Sequence, residues 1–76
     1  MRTVSKALRI LDLFTEDTPV LALTEIATLT GIDRATCHRM LKVLDKHGYV
    51  TRPPGSKKYT LGATVLRLAR TREFIS

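Results

Sequence analysis

Residues 30 to 33, Thr-Gly-Ile-Asp, constrain this chain more than any other stretch, because they impose a tight corner between two helices. Before the corner, Ile26, Ala27 and Leu29 are the apolar positions of a short helix, with Thr24 as a fair N-cap. Glu25 falls in its first turn, where the helix dipole favours an anion. Gly31 suits the left-handed residue that ends a helix. Asp33 is a preferred N-cap for the next helix, which runs to about Lys46 or His47 and stops at Gly48. Only a two-residue turn and a cap separate the two, the spacing of a helix-turn-helix. Ala27 is small enough for the helices to cross closely, and Ile32 can plug the corner.

The rest of the chain builds around this unit. Residues 4 to 16 place Val4, Ala7, Leu8, Leu11 and Phe14 at helical spacing, and the helix ends before Pro19. Ile10 and Leu13 widen the stripe, so this helix is either deeply buried or meets another chain. Beyond Gly48, Tyr49, Val50, Tyr59 and Leu61 flank a Pro-Pro-Gly-Ser turn, which predicts two short strands and a hairpin. Pro53 and Pro54 keep that hairpin at an edge or projecting outward. Gly62 opens a last helix with Val65, Leu66, Leu68 and Ala69 expected on its buried side. The expected fold is mainly α with a small β-hairpin: a winged helix-turn-helix of three helices, a two-stranded wing and a C-terminal helix. A chain of 76 residues supports one such core, since at this size only about 60% of the unfolded surface is buried.

The third helix divides cleanly. With Cys37 at the origin of a helical wheel, Leu41, Leu44 and Met40 fall within about 60° of it and form one apolar stripe. Ala35, His38, Arg39, Lys42 and Lys46 occupy the opposite side, between about 100° and 200°, with Arg34 on the flank. Val43 is a misfit near the polar face and is expected to pack against the hairpin. Long basic side chains, a small Ala35 and a hydrogen-bonding His38, with no acid among them, suit a helix lying in a DNA major groove. Arg34 and Arg39 can pair bidentately with guanine, and Thr36 can reach a phosphate or a base.

Charge agrees with this reading. Of the net +6, residues 34 to 60 supply the whole excess, with seven cations against Asp45 alone. A solvated face usually mixes signs, whereas one concentrated basic block suits a polyanion. Arg52, Lys57 and Lys58 put the hairpin in position to meet the sugar-phosphate backbone or the minor groove. The set expected at double-stranded DNA is thus Thr24, Arg34, Ala35, Thr36, His38, Arg39, Lys42, Arg52, Lys57 and Lys58.

Other chemistries fit less well. Cys37 and His38 are adjacent but face about 100° apart, and a thiol among apolar side chains is inert. No second cysteine or acidic cluster completes a metal site, and no phosphate loop or nucleophile set is present, so neither enzyme activity nor a metal or cofactor is expected. A single cysteine, no membrane-length apolar run and a charged N-terminus without a cleavage site point to the cytoplasm and away from a membrane. A winged helix serving as a protein–protein module is the alternative, but it has no need of the basic block. RNA binding would want a stacking platform, and the four aromatics look committed to core or strand positions.

"SKALRILDLF", "LTEIATLTGIDRATCHRMLKVLDKHGYV" and "KKYTLGATVLRLA", in this order and spacing, closely resemble the N-terminal DNA-binding domain of the IclR family of bacterial transcriptional regulators. The resemblance runs through nearly the whole chain. It implies a DNA-binding domain over residues 1–62 and the start of a linker helix over 63–76. It also implies a homodimer through the first and last helices, and a small-molecule effector bound by a C-terminal domain that this chain lacks. The chain departs from the family pattern at Cys37, where a branched aliphatic is more usual, and in its longer, proline-rich wing tip.

Overall fold

The helix-turn-helix corner is held by hydrogen bonds at Gly31, Thr30 and Asp33. In the computed structural model, which describes residues 2–75, α1 (Thr3–Asp12) leads through a loop to α2 (Leu23–Thr30). Gly31 ends α2 at φ +74°, with its N–H on the Ala27 carbonyl at 2.9 Å. Thr30, buried at the corner, donates its hydroxyl to the Ile26 carbonyl at 2.7 Å and accepts from the Ile32 N–H at 3.2 Å. Arg9 reaches across from α1 to donate to the Thr30 carbonyl at 2.6 Å, capping α2 from outside. Asp33 then caps α3 (Arg34–Lys46) by accepting the Thr36 N–H at 3.0 Å.

Beyond α3, β1 (Val50–Thr51) pairs antiparallel with β2 (Thr60–Leu61) in the register Val50 to Leu61 and Thr51 to Thr60. Residues 52 to 59 loop out between them as the wing. Tyr59 also bridges Leu21, with reciprocal N–H to carbonyl bonds of 2.8 and 3.0 Å, so the segment before α2 is tied to the wing. Ile10, Leu21, Ile26, Cys37, Leu41 and Val50 are fully buried and make the centre of the core. The architecture is the winged helix-turn-helix expected from the sequence.

A second close approach joins α3 to α4 (Ala63–Ile75). The Thr64 N–H donates to the Gly48 carbonyl at 3.0 Å, its hydroxyl to the His47 carbonyl at 2.8 Å, and the Gly62 N–H to the Tyr49 carbonyl at 2.9 Å. A Cβ on Gly62 would run into the Gly48 carbonyl, so glycine there is a packing requirement.

Several expectations are corrected. α1 ends at Asp12, four residues early, and it is Ile10 that enters the core, while Val4 and Leu8 are 71% and 55% exposed. The α2 N-cap is Ala22, not Thr24. Alanine offers no acceptor, and the Glu25 carboxylate instead takes the Ala22 N–H at 2.9 Å, the return half of a capping box. Leu29 is exposed, on the solvent side of α2. α4 buries none of its described residues: Leu66 and Leu68 are 53% and 43% exposed, and Phe74 is an open aromatic, uncommitted to the core. The radius of gyration is 12.6 Å, against about 11 Å for a compact chain of this length. The described part of the expected linker segment is this single helix; Met1 and Ser76 lie outside the described residues.

Candidate nucleic-acid interface

α3 stands as a ridge with a cleft on either side. Cys37 and Leu41 are its keel, both fully buried, and the Cys37 thiol donates to the Ile32 carbonyl at 3.6 Å. Met40 and Leu44 pack half-buried beside them. Ala35 and Lys42 lie exposed on the crest, opposite the keel.

The cleft toward the wing, about 410 Å³, gathers residues from three parts of the chain. Thr24 comes from α2, Arg34 and His38 from α3, and Arg52, Lys57 and Tyr59 from the wing, with Ala22 and Leu23 completing the wall. No carboxylate lines it. The Arg52 guanidinium sits 5.2 Å from the centroid of the Tyr59 ring, a cation–π contact that steers this cation toward the cleft. Five of the residues expected at DNA therefore meet here: Thr24, Arg34, His38, Arg52 and Lys57.

The cleft toward α1, about 440 Å³, holds Thr36 and Arg39 with Met40, Val43 and Leu44, facing Thr3, Lys6 and Ala7. Val43 is thus on the α1 side and 57% exposed, not packed against the hairpin as expected. Thr36 donates its hydroxyl to Asp33 at 2.7 Å and accepts from Arg39 at 3.1 Å. The Thr36 hydroxyl and backbone N–H hold the Asp33 carboxyl below its usual range, the Arg39 charge adds to this, and partial desolvation opposes it. Lys58 is exposed at the wing and lines neither cleft; its N–H donates to the Ser56 hydroxyl at 3.0 Å. The expected residues are therefore not one patch. They divide among the wing cleft, the crest and the α1 cleft, with Lys58 on the wing outside both clefts.

Tyr59, Ala22 and Leu23 were not among the expected residues, nor were Lys6 and Thr3 across the other cleft. The Leu21–Tyr59 pairing, which carries the first three, joins single residues 38 positions apart and leaves no local pattern. Among the described residues, no three His, Cys, Asp or Glu side chains come together as a metal ion would need, and no helix is long and apolar enough to cross a membrane.

A basic helix raised between two clefts, following a tight helical corner and flanked by a positively charged wing, defines a winged helix-turn-helix DNA-binding domain. Residues 3–54 match the IclR helix-turn-helix domain, and the chain belongs to that family of transcriptional regulators. It is 44% identical to the HTH-type transcriptional regulator XynR of Escherichia coli K12 over 62 residues, covering 82% of this chain and 25% of that protein. It is 39% identical to the glycerol operon regulatory protein of Streptomyces coelicolor over 51 residues, 67% of this chain and 20% of that one. A crystal structure of an IclR-family transcriptional regulator from Brucella abortus superposes with a TM-score of 0.83 at 30% identity, over 91% of this chain and 26% of that one. The chain spans about a quarter or less of the length of these relatives in sequence.

Proposed function

We propose that this domain reads a specific double-stranded DNA sequence with α3 in the major groove and the 52–59 wing against the sugar-phosphate backbone. A helix about 10–12 Å across fits a major groove about 12 Å wide, with its N-terminal residues at the base edges. Arg34, Ala35, His38, Arg39 and Lys42 are the groove-facing set; Thr24, Arg52, Lys57 and Lys58 answer phosphates. The observation that carries this reading is the wing-side cleft, where Arg34, Arg52, Lys57 and His38 converge from two elements without a carboxylate among them. A protein-binding module has no need of this concentration of one sign unless its partner is acidic, whereas a DNA backbone always is.

The domain acts as a homodimer. Val4 and Leu8 on α1, and Leu66 and Leu68 on α4, are exposed apolar side chains on helices that supply none of the expected DNA contacts. In the full-length regulator, residues 63–76 lead to an effector-binding domain, and the protein works in the cytoplasm without catalysis of its own.

Selection of bound duplexes from a random DNA pool tests the proposal. The expected product is an enriched motif arranged as an inverted repeat, its half-sites about one helical turn apart or a multiple of it. Absence of enrichment would leave only nonspecific charge attraction and would reject the reading.

A further inference from the structure

The first turn of α3 contains a directed chain of hydrogen bonds that a simple N-cap does not require. Asp33 already caps the helix through the Thr36 N–H at 3.0 Å. Its second carboxylate oxygen takes the Thr36 hydroxyl at 2.7 Å, and that hydroxyl oxygen takes the Arg39 Nη2–H at 3.1 Å. An ionised carboxylate only accepts, so the one hydroxyl proton points at Asp33 and the oxygen's lone pairs are left for Arg39. While the chain stands, the Thr36 hydroxyl has no proton to give a phosphate or a base.

Arg39 follows Thr36 by three residues, and positions three apart are neighbours on a helix surface. Its guanidinium is therefore drawn back toward the N-terminal turn, the part of a recognition helix that meets base edges. One of its five N–H donors is used, and the remaining four include what a bidentate pairing with guanine needs. A free arginine samples many rotamers and must surrender them on binding; one held beforehand surrenders fewer.

We propose that Thr36 is a positioning residue: its hydroxyl, oriented by Asp33, presets the Arg39 guanidinium and so sharpens the domain's discrimination between DNA sequences. This rests on the groove-reading role of Arg39 proposed above. The alternative, that Arg39 merely neutralises the nearby Asp33 charge, needs no hydroxyl at all.

Thr36→Val separates the two, since it keeps the shape, the backbone cap and both charges and removes only the hydroxyl. The measurement is the ratio of dissociation constants on a duplex selected from the random pool and on its scrambled version. Thr36→Val is expected to lower that ratio about three- to tenfold, the worth of one hydrogen bond. The dependence of affinity on salt should not change, because no phosphate contact is lost. Thr36→Ser should restore the ratio, and Thr36→Val should add nothing in an Arg39→Ala background. Thr36→Ala serves as the second hydroxyl-free variant if the valine perturbs folding, which circular dichroism monitors.

Each opposing result has its own meaning. A silent Thr36→Val, or equal weakening on both duplexes, overturns the positioning role. So does an effect that persists in the Arg39→Ala background, since Thr36 would then touch DNA directly. If Arg39→Ala leaves the ratio unchanged, Arg39 does not read bases and the inference falls while DNA reading by other residues stands. If the pool yields no selected sequence, the DNA-reading proposal itself has failed.

Discussion

α3 and α4 are each 13 residues long and each carries apolar side chains throughout, yet they end in opposite situations. In α3 the apolar residues apart from Val43 fall on one stripe, so Cys37 and Leu41 drive into the core while the basic face stays outside. In α4, Leu66 and Leu68 point about 160° apart around the axis, with Arg67 between them, so no single surface of this domain can take both. Apolar content alone does not bury a helix. A contiguous stripe and a facing surface do.

The largest expected effect tests that contrast directly. Leu41→Ala should lower unfolding free energy by about 2–5 kcal/mol in urea denaturation, while Leu66→Ala should stay within about 0.5 kcal/mol at a concentration where the chain is monomeric. A comparable loss at Leu66 would mean that α4 packs on this core after all. The junction between the two helices comes next. Gly62→Ala forces a methyl against the Gly48 carbonyl and should cost about 1–3 kcal/mol, which lowers the melting temperature by several degrees for a domain this small.

The contrast also explains what could be read from the residues alone. The Gly31–Asp33 corner is a local device, set by one positive-φ glycine and one cap, and it stands where the sequence placed it. The α3 stripe was legible because its period is clean. α1 carries apolar residues around most of its circumference, so periodicity could not choose Ile10 over Val4 and Leu8; only α2 and α3, packed on one side, make that choice. The buried face expected for α4 failed for a related reason, because no pattern within a helix reveals whether a surface exists to receive it. At the interface, spacing correctly separated Cys37 from His38, but it could not show that Arg39 and Arg34 lie in different clefts. That depends on where α1 and the wing stand relative to the ridge.

DNA binding should distinguish α3 and the wing from α4. Arg39→Ala should cost about 1–3 kcal/mol on the selected duplex and relax discrimination at one base pair, measured by fluorescence anisotropy. Equal weakening on selected and scrambled DNA would make Arg39 a phosphate contact. Lys58→Ala should weaken all sequences alike and reduce the slope of log K against log salt by about one unit. Arg70→Ala on α4 is the control for both and should leave slope and ratio alone; a matching change would extend the DNA face onto that helix.

The smallest effect concerns how the two helices begin. α3 starts on an ionised Asp33, whereas α4 starts after Gly62 with no acidic residue in its first turn, so only α3 has an acid-sensitive cap. Thr36 holds the folded Asp33 carboxyl below its unfolded value of 3.8, through its hydroxyl first and its N–H second. A lowered folded pKa means that the unfolded state takes up the proton first as pH falls. The stabilisation is therefore fully present above the unfolded value and drains away as pH drops through the folded one. Asn is as good an N-cap as Asp and does not titrate, so Asp33→Asn keeps the cap and deletes the pH dependence. The difference in urea midpoint between wild type and Asp33→Asn should be flat from pH 7 to about 5 and then shift against the wild type below about pH 4. The other carboxylates titrate in both proteins and cancel in the difference. A flat difference down to pH 2 would show that Thr36 holds the charged and neutral carboxyl equally, and would remove the electrostatic distinction between the two helix starts.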